Sequence, residues 1–278
     1  MSEGKTNEPP ATRLDMNQQT QALTQLPRPE LTDASYFDLA AARAALAEQR
    51  PVAFPPFELV HWGGLSLALN FRNDPIQREL RQGRFYEAAE LAVLERRVPQ
   101  GATIVDIGAN IGNHAIFFAR HMRAARVIVF EPNPLSLAPL MANILLNRLE
   151  DVIVTDHLGL GLSDHAGGGF GMGRHDRNLG ATKLTAGTGE IAVETGDNLL
   201  ADERPDFIKL DVEGMEMQVL AGLEATIARA RPRMLVEVDD KNRTAFGMWC
   251  LKHGYHHIDD WRVGPHNANY LIEPEEQE

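Results

Sequence analysis

The chain has 278 residues, 44% hydrophobic and 24% charged, the composition of a globular protein long enough to bury a substantial core. Its 27 basic and 39 acidic side chains leave a formal charge of -12, which gives no general attraction for nucleic-acid phosphates or an anionic membrane. The lone Cys250 excludes an intramolecular disulfide and argues against a cysteine zinc site. With no apolar leader and no run of about 18 apolar residues, neither export nor a membrane span is indicated, and a cytoplasmic location is expected.

Residues 1–32 are rich in Gln, Thr, Asn and Pro and read as a disordered tail. From residue 33 to residue 100 the chain reads as an N-terminal α/β lid. Leu39, Ala42 and Leu46 have helical spacing, alternation on either side of Gly63-Gly64 suggests a hairpin, and Arg84 to Arg97 is a second helical stretch. Its apolar content is too thin for a core of its own, so it should pack beside the main domain, residues 101–273.

That domain opens with a β-prone run, Thr103 to Ile107, a glycine turn from Gly108 to Gly112, and a helical pattern from His114 to Met122. A second apolar run, Arg126 to Phe130, ends in Glu131-Pro132-Asn133. A helix from Leu135 to Leu149 and a short strand, Val152 to Thr155, ending at Asp156 follow. Residues 157–198 are crowded with glycine and break the rhythm; they are read either as a surface excursion or as a substrate-contacting flap, with a short strand at Ile191 to Glu194. The rhythm resumes with the strand Phe207 to Val212, a helix from Met215 to Ala228 and a strand from Arg233 to Val238. A helix containing Trp249 and Leu251, two weak strands around His257 and Tyr270, and an acidic tail over residues 274–278 complete the chain. Alternating strands and helices predict an α/β fold with a Rossmann-like, doubly wound, mostly parallel sheet.

The strand–turn–helix–strand unit is a nucleoside cradle, in which glycines allow close approach and an acid at the next strand tip accepts from ribose hydroxyls. A nicotinamide dinucleotide calls for G-x-G-x-x-G, whereas Gly108 and Gly112 are spaced G-x-x-x-G, with Asp106 just ahead. A carboxylate there repels a pyrophosphate but can hold an ammonium. The expected ligand is therefore S-adenosylmethionine, with Asp106 toward the methionine portion and Glu131 on the ribose.

Four strings together resemble the FkbM-family methyltransferases: V-D-I-G-A-N-I-G-N from Val105 to Asn113, F-E-P-N-P from Phe130 to Pro134, N-x-G from Asn178 to Gly180, and I-K-L-D-V-E-G from Ile208 to Gly214. The resemblance spans roughly residues 84–240. It implies a class I S-adenosylmethionine-dependent methyltransferase with a seven-stranded sheet whose last strand is antiparallel, and O-methylation of a small-molecule, sugar or natural-product hydroxyl. It also implies a cofactor set of Asp106, Gly108, Asn110, Gly112, Glu131 and Asn133.

The second acidic strand end carries Asp211 and Glu213, two residues apart and so on one side of an extended strand. They can serve as base or acceptor anchor, bind a divalent cation with Glu237 or Asp239, or, for Glu213, cap the following helix. The catalytic expectation is Asp211 and Glu213, with no metal assigned. Asp156 is placed to accept from the adenine amino group or to serve its own turn, and His157 and Asn178 are substrate-side candidates. His114 either reaches the cofactor or is a satisfied structural residue. Two other functions remain open, N-methylation of an amine or nucleobase and a non-catalytic scaffold that keeps the cofactor fold.

Overall fold

The computed structural model describes residues 37–173 and 182–276. The expected tail at residues 1–32, the substrate candidate Asn178 and the last two residues of the acidic end lie outside the described residues.

The N-terminal extension consists of α1 (Leu39–Ala47), the hairpin β1 (Glu58–Trp62) and β2 (Leu65–Leu69), α2 (Pro75–Arg81) and α3 (Ala88–Arg97). Next come β3 (Thr103–Ile107), α4 (Asn113–Arg120), β4 (Arg126–Phe130), α5 (Pro134–Leu146) and the short β5 (Ile153–Val154). The glycine-rich segment is not structureless: β6 (Leu160–Leu162), β7 (Gly167–Met172), β8 (Leu184–Ala186) and β9 (Ile191–Glu194) make a separate sheet, followed by α6 (Gly196–Leu199). The chain closes with β10 (Phe207–Leu210), α7 (Glu216–Ala221), α8 (Glu224–Ala230), β11 (Arg233–Asp239), α9 (Arg243–His253), β12 (Tyr255–Arg262) and β13 (Asn267–Pro274).

The central sheet has seven strands in the order β12-β13-β11-β10-β3-β4-β5. β13 runs antiparallel between β11 and β12, while β3, β4, β5, β10 and β11 are parallel. Alternate residues of one strand enter opposite cores: Ile104, Val129 and Phe207 pack on one face, Val105, Ile128 and Ile208 on the other. Both faces are covered, so these strands read as continuous apolar runs. Phe118 meets Phe207 edge-on at 5.9 Å, and truncating it would cost about 3–5 kcal/mol.

The extension shares the first of these cores through Leu67, Leu80, Leu91 and Leu94. Its docking is polar as well as apolar. Among the described residues the outer edge of β2 has no strand partner, and asparagines at the end of α5 replace one: Asn147, just past the helix, accepts from Ser66 N (3.0 Å) and donates to Ser66 O (2.8 Å), and Asn143 bonds Ala68. Pro139 inside α5 cannot bond the Leu135 carbonyl, and Asn70 of the extension donates to that carbonyl at 2.7 Å instead.

Three sequence expectations change. The helix predicted from Arg84 begins at Ala88, because Glu87 is left-handed (φ 56). The helix predicted from Met215 to Ala228 breaks at Gly222, where a Cβ would overlap the Ser163 carbonyl, and Asp197 then caps α8 through Ala225 N and Thr226 N. The terminal strands are long, eight residues each, because β13 is hydrogen-bonded on both sides.

Candidate active site

The turn after β3 is drawn onto β4 by two backbone bonds, Gly108 N and Ala109 N to Phe130 O at 2.9 and 3.0 Å. Gly108 (φ +81) has no room for a side chain, since a Cβ would sit on the Asp211 carbonyl oxygen. Glu131 completes the turn. Its Oε2 accepts from Asn110 N and its Oε1 from Asn133 N, both at 2.7 Å, leaving lone pairs on each oxygen for a ligand. Burial pushes this carboxyl up to about 7 in spite of those two bonds.

Two cavities meet here. A narrow slot of about 60 Å³ is walled by Gly108, Asn110, Phe130, Glu131, Pro132 and Leu160 to Leu162, with Met172, Thr182 and Leu184 of the glycine-rich segment on its outer side. A chamber of about 680 Å³ lies beyond, bounded by Ile76, Tyr86 and Glu87 of the extension, Lys183, Glu237, Asp239 and the loop Val263 to Asn267. Asp211 and Glu213 line both.

Lys209 lies under this junction. Its ammonium is 4% exposed, donates to Gly108 O (3.0 Å) and to Asp211 Oδ2 (3.3 Å), and stands 3.5 Å from Asp106 Oδ1. These two carboxylates with Glu87 outweigh burial and hold Lys209 above the usual lysine range. Among the wall acids, burial and the Asp211 charge push Glu213 up to about 7. Burial, Asp211 and Glu213 push Glu237 to about 9, so it is protonated at neutral pH. Asp211 is also raised, by burial opposed by Lys209.

The geometry gathers Gly108, Asn110, Glu131, Asp211 and Glu213 around the slot. Gly112 and Asn133 stand one step back. Gly112 (φ +92) lets Leu140 pack on the turn, and the Asn133 side chain caps α5 through Leu135 N. Asp106 departs from its predicted place: it is fully buried in β3, in register with Lys209 of β10, and faces that lysine, not the slot. Of the two carboxylates beside Lys209, Asp211 is the one that lines the slot. Asp156 is exposed and does not line the slot; its segment is tied down by Arg43, which donates to the Thr155, Asp156 and Leu158 carbonyls. His157 stacks on Phe130 (4.8 Å, 4°) away from both cavities, and burial lowers its pKa. Glu213 caps no helix, since α7 starts at Glu216 with no side-chain cap bond.

Asp211, Glu213 and Glu237 each offer an oxygen within 4.8 Å of the others, a donor set that hard cations accept. Three wall residues outside glycine are left-handed, Glu87 (φ 56), Asn110 (φ 49) and Glu213 (φ 50), a clustering typical of functional sites. Sequence reasoning missed Tyr86, Glu87 and Lys183 as wall residues. The aromatic-acid pair Tyr86-Glu87 before α3 is the only local signal for the first two.

A doubly wound sheet of this order, with an acid-tipped slot beside an acidic chamber at the strand ends, defines a class I methyltransferase fold. Residues 106–272, more than half of the chain, match the family model of the methyltransferase FkbM domain, and the chain belongs to that family. Over 123 residues it is 33% identical to the hexuronic acid methyltransferase AglP of Haloferax volcanii, which covers 42% of this chain and 48% of AglP. It is 27% identical over 188 residues to the AMB antimetabolite synthetase AmbE of Pseudomonas aeruginosa, 52% of this chain and 9% of AmbE. Among solved structures, the methyltransferase FkbM from Methylobacillus flagellatus superposes with a TM-score of 0.45 at 19% identity, over 66% of this chain and 51% of that one. The chain thus spans under half of AglP and a small part of AmbE. No helix of the described residues is long and apolar enough to cross a membrane.

Proposed function

We propose that this methyltransferase moves a methyl group from S-adenosylmethionine to a hydroxyl of a small-molecule or saccharide acceptor. The observation that carries this reading is the wall that Asp211 and Glu213 share between slot and chamber, because donor and acceptor must meet in line at one point. The slot suits the cofactor: Gly108 gives close backbone approach, Glu131 keeps free lone pairs for a ribose diol, and Phe130, Pro132, Leu160 and Leu162 offer an apolar bed for a base. Bound S-adenosylmethionine would supply an electrophilic methyl on a sulfonium.

The chain's part is to orient the acceptor hydroxyl and take its proton. Glu213, near 7, is matched to that task at neutral pH, whereas Glu237 is already protonated. Asp211 is neutralised from beneath by Lys209 and serves to position the acceptor and to raise Glu213. The reading assigns the wall to the proton and no ion to its three carboxylates. The acidic wall also favours a small acceptor over nucleic acid.

Calorimetric titration with S-adenosylhomocysteine should give heat with the intact protein and none with Glu131→Ala; absence of heat from the intact protein would remove the cofactor assignment. Incubation of labelled cofactor with a cell extract should place label in a metabolite or glycan. Label in nucleic acid or protein would instead support N-methylation or another acceptor class, and no transfer would leave a scaffold.

A further inference from the structure

One buried pair, Glu87 and His114, takes no part in the proposed proton transfer. Glu87 precedes α3 in a left-handed conformation, which costs a non-glycine residue about 1–2 kcal/mol and persists only where the surroundings fix it. Three residues from two elements do so. His114 of α4 places Nε2 3.0 Å from Oε2, and Asn269 of β13 donates Nδ2 to Oε1 at 2.9 Å. Asn113, also of α4, clamps the neighbouring residue by accepting from Tyr86 N (3.0 Å) and donating to Tyr86 O (3.2 Å). The Glu87 side chain is 9% exposed, and its residue belongs to the wall of the 680 Å³ chamber, which Glu213 and Glu237 also line. One contact on each oxygen, an ion pair on Oε2 and a hydrogen bond on Oε1, leaves a lone pair on each.

We propose that Glu87 is an acceptor-anchoring residue supplied by the N-terminal extension: its carboxylate, held by His114 and Asn269, accepts a hydrogen bond from a second hydroxyl or an ammonium of the acceptor and turns the reacting hydroxyl toward Glu213. This rests on the reading of methyl transfer to a small hydroxyl-bearing acceptor and names the acceptor's chemistry. The molecule must present a hydrogen-bond donor beside the methylated hydroxyl, and it must not be anionic, because a carboxylated sugar would meet Glu87, Asp211 and Asp239 as like charges.

The electrostatics agree with a fixed, ionised anchor. Burial works to raise the Glu87 carboxyl, but the bond and charge of His114, then Lys209 and the Asn269 amide, hold it below the usual carboxylate range. The other titratable groups that feel it are Asp211 at the end of β10, Glu237 of β11, and its neighbours Tyr86 and Glu90.

The test titrates the small-molecule fraction of a cell extract against labelled S-adenosylmethionine. Glu87→Gln should need roughly tenfold or more extract for half-maximal transfer, the loss expected for a hydrogen bond to a charged group, while S-adenosylhomocysteine affinity changes by less than about threefold. His114→Gln should shift the acid limb of half-saturation to higher pH, a movement that a purely structural tie would not produce. Unchanged half-saturation in a Glu87→Gln protein that still binds S-adenosylhomocysteine would overturn the proposal. So would a fall in plateau rate alone. Should that variant fail to fold, the charge of the wild-type product decides: labelled product that passes an anion exchanger supports the anchor, and labelled product retained on it refutes the anchor. A wild-type protein that labels no small molecule refutes the underlying reading, and this one with it.

Discussion

The carbonyl oxygen of Asp211 occupies the place where a Cβ on Gly108 would stand. The cofactor turn and the acceptor-side strand end are therefore in backbone contact, and Asp211 N also donates to Ile107 O at 3.0 Å. Replacing Gly108 by Ala must push the two apart and place a side chain at φ +81. We expect a loss of about 3 kcal/mol or more, with cofactor affinity and transfer falling together. Gly101→Ala, at φ +79 with nothing within 4 Å of its Cβ, isolates the conformational part and should cost only about 1–2 kcal/mol. Thermal unfolding of both variants checks the difference.

Glu131→Gln tests the ribose site. An amide presents one donor edge, and either Asn110 N or Asn133 N would then face an NH2 group in place of an acceptor. S-adenosylhomocysteine affinity should fall by about 100-fold, equivalent to about 2.7 kcal/mol. Since the wild-type carboxyl sits at about 7, wild-type affinity should strengthen as pH rises through that value while the variant stays flat. Calorimetry across pH 6 to 8, a window of about one unit on either side, reads both.

The turnover number should rise with pH through about 7 as Glu213 ionises. Glu213→Gln should remove that limb and lower turnover by about 10²–10⁴-fold, the usual weight of a general base. Asp211→Asn should keep cofactor affinity, lose most turnover, and move the residual limb to lower pH, because one of the charges that raises Glu213 is gone. A fully active Asp211→Asn protein would show that positioning by Asp211 is not required.

Glu237 makes a stability prediction with the opposite sign from the usual acid. Its folded-state carboxyl lies near 9, above the unfolded value of about 4.3, so the folded chain holds the extra proton between the two. Stability from this group is intact below the unfolded value and is lost as pH rises toward 9. Glu237→Gln keeps a neutral polar group beside Asn267, which bonds Glu237 Oε1 at 2.6 Å, and should be more stable than wild type at pH 8 by about 1 kcal/mol or more. The gain should vanish near pH 4.5 in melts run at both values.

The sheet and the cofactor turn were legible because their signals are local: apolar runs of strand length, glycines at positions of positive φ, and an acid directly at the tip of β4. Asp106 was misplaced because its direction depends on Lys209, which pairs with it from a strand 103 positions later. Asp156 sits just past a strand tip as expected, but that side of the slot is walled by Leu160 to Leu162 and the sheet built by the glycine-rich segment. Glu87 was invisible for a related reason. One partner lies 27 residues away and the other 182, and its left-handed backbone breaks a pattern that otherwise reads as continuous helix.

The bond between Asn269 and Glu87 joins the start of α3, the last helix of the extension, to β13, the last strand in order among the described residues. During synthesis the turn at Gly108 and the acid at Glu131 emerge long before Asn269 does. A nascent chain that has made both thus leaves Glu87 without the Asn269 amide until β13 takes its place between β11 and β12.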